Sequence, residues 1–327
     1  MRPVLIPLFE RLGRRTLRSR GARVRWVDTP LGPVHTYDVE GHGSLPPMVL
    51  LHGLGASATP FGPMMGRLRP HVSRLVAPDY PGHGFSGEAA GVVTPTALFE
   101  AMTTALDALL VEPAVLVGNS LGGAVAMQYA LSRPERVRAL VLLSPAGARF
   151  TREEWSAFVA SIDMRSRADA LAFLSLVYHR VPRAARLVAH EIPEATMKRR
   201  AVREIIRAAS IDGIDTSEAL GRLTAPILLV WGKSERFLPA SHLSWFRQNL
   251  PPHAIVEEPE AIGHVPPARI AERIVRFARE LSSPQWQLAG SGTWHVPPEQ
   301  TAPTSQSGPA SASHAVPSVA KGTQVPT

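Results

Sequence analysis

The chain reads as an α/β protein, a mostly parallel sheet covered by helices on both faces and interrupted by one helical insertion. Three observations predict this. Short β-rich apolar runs recur at Val34 to Val39, Met48 to Leu51, Arg74 to Pro78, Val115 to Val117, Ala139 to Leu143 and Ile227 to Val230. Helical stretches lie between several of them, as at Thr96 to Leu110 and Leu121 to Leu131. Such alternation is what parallel pairing requires, because each crossover needs a dozen or more residues and brings a helix onto a face of the sheet. Finally, the β runs stop between about Arg149 and Ser217, where the pattern is helical and carries Trp155, Phe158, Phe173, Leu174, Leu176, Val177 and Tyr178, and they resume at Pro226.

Length and composition fit that reading. With 327 residues, 45% of them hydrophobic, the chain can bury one large core with a subdomain. No window approaches the roughly 18 uninterrupted apolar residues of a membrane-spanning helix. The absence of cysteine excludes disulfides, a thiolate nucleophile and cysteine-ligated metal, and suits a cytoplasmic protein. The organisation expected is an N-terminal arm over 1–23, a sheet domain over 24–148 and 218–281, and a helical cap over 149–217. The last stretch, 282–327, is rich in Pro, Ser, Thr, Ala and Gly, with only Glu299 and Lys321 charged. It cannot bury enough apolar surface to offset ordering and is expected to be disordered.

The net charge of +8 is local. Residues 1 to 25 hold Arg2, Arg11, Arg14, Arg15, Arg18, Arg20, Arg23 and Arg25 against the single acid Glu10, so the remainder is nearly neutral. A neutral body with one basic arm argues against nucleic acid as a partner. The arm has helical spacing, with Val4, Leu5, Leu8, Phe9 and Leu12 on one side and Arg11, Arg14, Arg15 and Arg18 mostly on the other. Two readings fit: a helix lying at a membrane surface through residues 1–20, or a helix packed on the protein's own body. Pro3, Pro7 and Glu10 interrupt the apolar stretch, which makes it a poor secretory signal.

Four segments carry chemistry. Gly118-Asn119-Ser120-Leu121-Gly122 follows the apolar run Ala114 to Val117 and opens a helix, which is the strand-turn-helix context of a nucleophile elbow. A serine there adopts a strained backbone, and the flanking glycines give the turn room. Leu50-Leu51-His52-Gly53-Leu54-Gly55 ends another buried strand, and its Leu54 N–H is the expected partner of the Leu121 N–H in holding a developing oxyanion. Ile227 to Val230 runs into Trp231-Gly232-Lys233-Ser234-Glu235, which makes Glu235 the candidate acid, with Glu257, Glu258, Glu260, Asp212 and Asp215 as competitors. Gly263-His264-Val265-Pro266-Pro267 supplies the candidate base on a late loop. The chain order serine, acid, histidine is the one expected for this architecture. Asp79-Tyr80-Pro81-Gly82-His83-Gly84 is also dense in polar residues, but Asp79, His83 and His52 read as structural hydrogen-bonding residues, and no metal-ligand spacing supports a metal site.

Together these segments resemble the α/β-hydrolase superfamily from about Val24 to Leu281. The resemblance implies an eight-stranded, mostly parallel sheet, a triad of Ser120, Glu235 and His264, no cofactor, and a lid made by the insertion. It departs at Glu235, where the family usually has aspartate. A second resemblance, in Leu142-Leu143-Ser144-Pro145-Ala146-Gly147 and in Val181-Pro182 with Ala195 to Arg207, is to the monoacylglycerol lipase and bacterial lipase-like branch. It implies a small-molecule, lipid-like ester as substrate. The apolar residues Phe158, Phe173, Leu174 and Val177 are the candidate acyl-binding side chains. Two rivals stay open: a carbon–carbon bond hydrolase of ring-cleavage products, which paired arginines in the pocket would favour, and a non-catalytic binder on the same scaffold.

Overall fold

In the computed structural model, residues 3–209 and 217–281 are described; the tail expected to be disordered lies outside them. Eight strands form one sheet: β1 (Arg23–Val27), β2 (Val34–Glu40), β3 (Met48–Leu51), β4 (Arg74–Pro78), β5 (Ala114–Asn119), β6 (Val137–Leu143), β7 (Ile227–Val230) and β8 (Ile255–Glu257). Their spatial order is β1-β2-β4-β3-β5-β6-β7-β8. Only β2 runs against its neighbours β1 and β4; every other pairing is parallel. β1 and β8 are the strands that the six apolar runs did not announce: Arg23, Arg25 and an exposed Trp26 make β1 an edge with little to bury, and β8 is a three-residue edge of half-buried side chains.

Among the described residues, eleven helices accompany the sheet: α1 (Leu5–Ser19), α2 (Gly62–Leu68), α3 (Pro95–Leu109), α4 (Leu121–Ser132), α5 (Arg152–Ile162), α6 (Arg167–Val177), α7 (Arg183–Leu187), α8 (Arg200–Ala208), α9 (Ser217–Leu220), α10 (Ala240–Asn249) and α11 (Ile270–Glu280). Alternate strand residues feed two separate cores, as a period of two demands. Val49, Leu51, Leu116, Leu140 and Leu229 point to the face covered by α3, α4 and α10. Leu50, Val115, Val117, Val141 and Leu228 point to the face covered by α2, α11 and the end of α1. Strands buried on both sides explain why β3, β5 and β7 read as unbroken apolar runs.

Helices α5 to α8 follow one another between β6 and β7, outside the sheet. Local chemistry starts two of them. Thr151 and Glu154 form a capping box at α5, and Ser166 and Asp169 form another at α6, each satisfying backbone donors that a helix start leaves free. The insertion has a small core of its own around Met164, Ala170, Leu174, Ala189 and Ile192.

The N-terminal helix α1 is docked on the protein's body. The side it buries is not the apolar one: Val4, Leu8, Phe9 and Leu12 stay exposed, at 65%, 46%, 43% and 46%. No helix among the described residues is long and apolar enough to cross a membrane.

Candidate active site

Ser120 sits between β5 and α4 with φ 55 and ψ −120. A non-glycine residue in that region costs on the order of 1–3 kcal/mol, which the surrounding bonds must hold in place. They do so at the backbone: Ser120 N–H donates to Leu143 O at 3.1 Å, and Ser120 O accepts from Gly123 N at 2.8 Å and Ala146 N at 2.9 Å. The flanking glycines are needed for close approach. A Cβ on Gly118 would lie 2.2 Å from Gly122 O, and one on Gly122 would lie 2.1 Å from Leu51 O. The absent side chains let the start of α4 press directly on β3, the strand that leads into the Leu54 loop.

His264 and Glu235 come together from two loops beyond the sheet. His264 Nδ1 lies 2.9 Å from Glu235 Oε2, and both side chains are at most 5% exposed. Glu235 Oε1 accepts from the N–H groups of Phe237 at 2.8 Å and Leu238 at 3.0 Å. Burial pushes the Glu235 carboxyl up, but the facing imidazole, the Leu238 N–H and the Ser144 hydroxyl outweigh it, and the group titrates below its ordinary value. With Nδ1 held by the carboxylate, Nε2 is the ring nitrogen left for a proton exchanged in the cavity. None of the competing acids makes this contact: Glu257, Glu258 and Glu260 pair with Arg273, Arg247 and Lys233, while Asp212 and Asp215 lie outside the described residues.

A cavity of about 690 Å³ opens over these groups. Ser120, Leu121, Leu54 and His264 line it on the sheet side; Phe158, Phe173, Leu174 and Val177 line it from the insertion. Among the described residues, no lysine or arginine lines it. Among the described residues, neither Leu54 N–H nor Leu121 N–H donates to a backbone carbonyl.

Asp79 and His52 are fully hydrogen-bonded, whereas His83 meets Pro81 O through Nδ1 at 3.1 Å and leaves its buried Nε2 without a partner among the described residues. Asp79 accepts from Ala58 N at 2.7 Å and Phe85 N at 2.9 Å and bonds His35 Nδ1 at 2.9 Å. His52 Nδ1 lies 2.8 Å from Gly53 O, and its Nε2 accepts from Tyr80 N at 3.2 Å. Burial pushes His83 down to about 3, which keeps it neutral. Among the described residues no group of three potential ligands gathers for a metal ion. Burial raises the Asp79 carboxyl, yet the His35 bond and the two backbone donors overcome it and hold the group below its ordinary 3.8. The stability that Asp79 contributes is therefore complete above that value and lost as pH falls through the depressed one. Asp79→Ala leaves the buried Ala58 N–H, the part-buried Phe85 N–H and the His35 imidazole without their acceptor, an expected loss on the order of 3–5 kcal/mol. Urea unfolding at neutral pH measures it, and a midpoint unchanged from wild type would contradict the assignment.

Three residues of this site escaped the motif reading. Asn119 Nδ2 donates to Leu143 O at 2.9 Å and to His264 O at 2.8 Å, tying the elbow to the histidine loop; it occupied a variable position of the motif. Phe237 sets its ring edge-on to His264 at 4.7 Å between centroids and also meets Phe158 and Phe173. Its only sequence signal was standing two residues after the acid. Ser144, at the end of β6 with φ 41, lends its hydroxyl to Glu235.

Comparison with known proteins fits this geometry. A family model described as the alpha/beta hydrolase family matches residues 48–300. The chain belongs to the alpha/beta hydrolase family. Within it, the chain is 33% identical over 275 residues to the pimeloyl-[acyl-carrier protein] methyl ester esterase of Xanthomonas campestris pv. campestris, covering 75% of this chain and 98% of that one. It is 30% identical over 206 residues to the 2-hydroxymuconate semialdehyde hydrolase of Pseudomonas sp. strain CF600, covering 59% and 71%. Among solved structures, the naproxen esterase of Bacillus subtilis superposes with a TM-score of 0.66 at 24% identity, over 82% of this chain and 96% of that one. At that identity the likeness speaks for the alpha/beta hydrolase fold alone, with its eight-stranded sheet flanked by helices.

Proposed function

We propose that this alpha/beta hydrolase cleaves carboxylic esters through an acyl-enzyme on Ser120, and that its substrates are lipid-like, monoacylglycerols or other esters of medium to long acyl chains. In this reading Ser120 Oγ attacks the ester carbonyl while His264 Nε2 takes its proton, and the Glu235 carboxylate holds the imidazole in the needed tautomer. The N–H groups of Leu54 and Leu121 hold the tetrahedral oxyanion, helped by the positive end of α4. The leaving alcohol receives the proton from His264. Water, deprotonated by the same nitrogen, then releases the acid and restores Ser120. The insertion over 149–217 acts as a cap, with Phe158, Phe173, Leu174 and Val177 against the acyl chain. The same reading has the chain work in the cytoplasm, in peripheral contact with the inner membrane surface through residues 1–20.

The observation that carries the proposal is an apolar cavity, meeting Ser120 and His264, whose lining among the described residues includes no lysine or arginine. A dianionic ring-cleavage product would leave its charges unpaired there, at a cost that an acyl chain does not incur. The methyl ester esterase among the relatives supports ester chemistry, and the 2-hydroxymuconate semialdehyde hydrolase keeps carbon–carbon cleavage as the rival. A buried, hydrogen-bonded Glu235 and His264 argue against a binder that has lost its chemistry. Initial rates over esters from acetyl to palmitoyl, with a monoacylglycerol included, test the reading. Specificity constants are expected to rise from acetyl toward medium or long chains; turnover confined to acidic diketones would replace the proposal by its rival.

A further inference from the structure

Helix α1 is anchored at four points along one side. Ile6 packs on the insertion's own core, and Glu10 accepts a hydrogen bond from Ser57 Oγ at 2.6 Å. Gly13 lies so close to Thr59 that a Cβ there would sit 2.5 Å from its methyl group, and Leu17 is buried in the sheet's core. At its start, the carboxylate of Glu191, 6% exposed, accepts from Leu5 N at 2.9 Å and Ile6 N at 2.8 Å. The helix is thus fixed to both the sheet domain and the insertion, and its outward face is fixed with it.

That outward face is the apolar one. At roughly 100° per residue, Val4, Leu8 and Leu12 form a stripe about 80° wide, with Arg11, Arg15 and Arg18 along and beside it. All six are exposed, and among the described residues no carboxylate pairs with any of the three arginines. A folded protein gains nothing by holding such a stripe in water. Leucines at the acyl boundary with guanidinium groups among phosphates is the arrangement an anionic bilayer takes.

We infer that the outer face of α1, Val4, Leu8 and Leu12 with Arg11, Arg15 and Arg18, is a docking surface for an anionic lipid bilayer, and that it holds the insertion at that bilayer through Glu191. The adjoining Ile192 lines the cavity over Ser120, so a wall of that cavity is one residue from the anchor. The inference deepens the proposed function and rests on it for the nature of the substrate, but the docking itself stands on the helix alone.

The test uses the full chain and sedimentation with vesicles of phosphatidylcholine alone or of equimolar phosphatidylcholine and phosphatidylglycerol. Two variants accompany wild type, L8S/L12S and R11Q/R15Q/R18Q, all at exposed positions. Hydrolysis of a short water-soluble ester is the control for folding. Wild type is expected to pellet with the anionic vesicles only, with added salt reversing it, and each variant to bind at least roughly 10-fold more weakly at unchanged soluble-ester activity; three arginines alone are worth on the order of 100-fold. Equal sedimentation of wild type and both variants overturns the inference. So does binding that the arginine variant loses and the leucine variant keeps, since that is the behaviour of a site for a soluble acidic partner. Docking without any ester turnover would instead sink the proposed function and leave the docking surface standing.

Discussion

Ser120→Ala is expected to lower kcat for any ester the wild type turns over by roughly 10⁵- to 10⁶-fold, with KM little changed. Alanine keeps the Cβ, which a side chain added at Gly53 would meet at 3.3 Å, and fits the same strained turn, because the bonds that hold φ at 55 are all made by the backbone. What disappears is the only hydroxyl that the elbow offers to the cavity. The Leu54 and Leu121 donors and the acyl-binding wall remain, so a residual rate above that of water should survive through an attacking water. The fold should be untouched, which thermal unfolding checks in parallel. A variant retaining even a tenth of wild-type kcat would remove Ser120 as the nucleophile, whatever the family resemblance.

Glu235→Gln is expected to cost roughly 10³- to 10⁴-fold in kcat. Its amide can still meet His264, but an NH₂ presented to Nδ1 stabilises the tautomer that carries its proton on Nε2, the wrong nitrogen for receiving one from serine. The same substitution loses the charge that supports the imidazolium formed as the bond to carbon forms. Glu235→Asp is the informative companion, because aspartate is what the superfamily usually has here. The loop that accepts glutamate fixes Oε1 with the Phe237 and Leu238 N–H groups, so a side chain one methylene shorter must choose between those donors and His264. A loss of roughly 10- to 100-fold is expected, well short of the glutamine variant. If aspartate and glutamine proved equally damaging, reach rather than charge would be the property that matters.

The parts of this molecule that were legible in the sequence are those where one constraint dominates. Strands buried on both faces had to be apolar throughout, and so β3, β5, β6 and β7 could be read directly. The edge strand β1 has little to bury and left no such trace. Ser120, His264 and Glu235 were readable because a strained turn and two strand ends need recognisable neighbours. Asn119 and Phe237 were not, because their roles depend on which loops meet in space, and no spacing along the chain encodes that the elbow lies against the loop of His264. Helix α1 shows a third kind of limit. Its periodicity announced a helix, but three of the arginines expected opposite the apolar stripe lie along or beside it, and burial of Glu10 and Gly13 in preference to Leu8 and Leu12 follows from Ser57, Thr59 and Glu191, residues far away in sequence.

Asn119 joins two parts of the site that would otherwise be independent. One amide nitrogen reaches both the carbonyl closing β6 and the carbonyl of His264, so the elbow and the histidine loop form a single rigid frame. The helical insertion is tied to the neighbouring loops by other bonds: Val265 N–H donates to Val177 O at 2.8 Å, Arg236 donates to Tyr178 O at 2.7 Å, and His179 Nδ1 lies 2.7 Å from Ser234 Oγ. In the proposed mechanism any displacement of the insertion is therefore passed on to the imidazole and the carboxylate, while Asn119 ties the serine turn to the same loop.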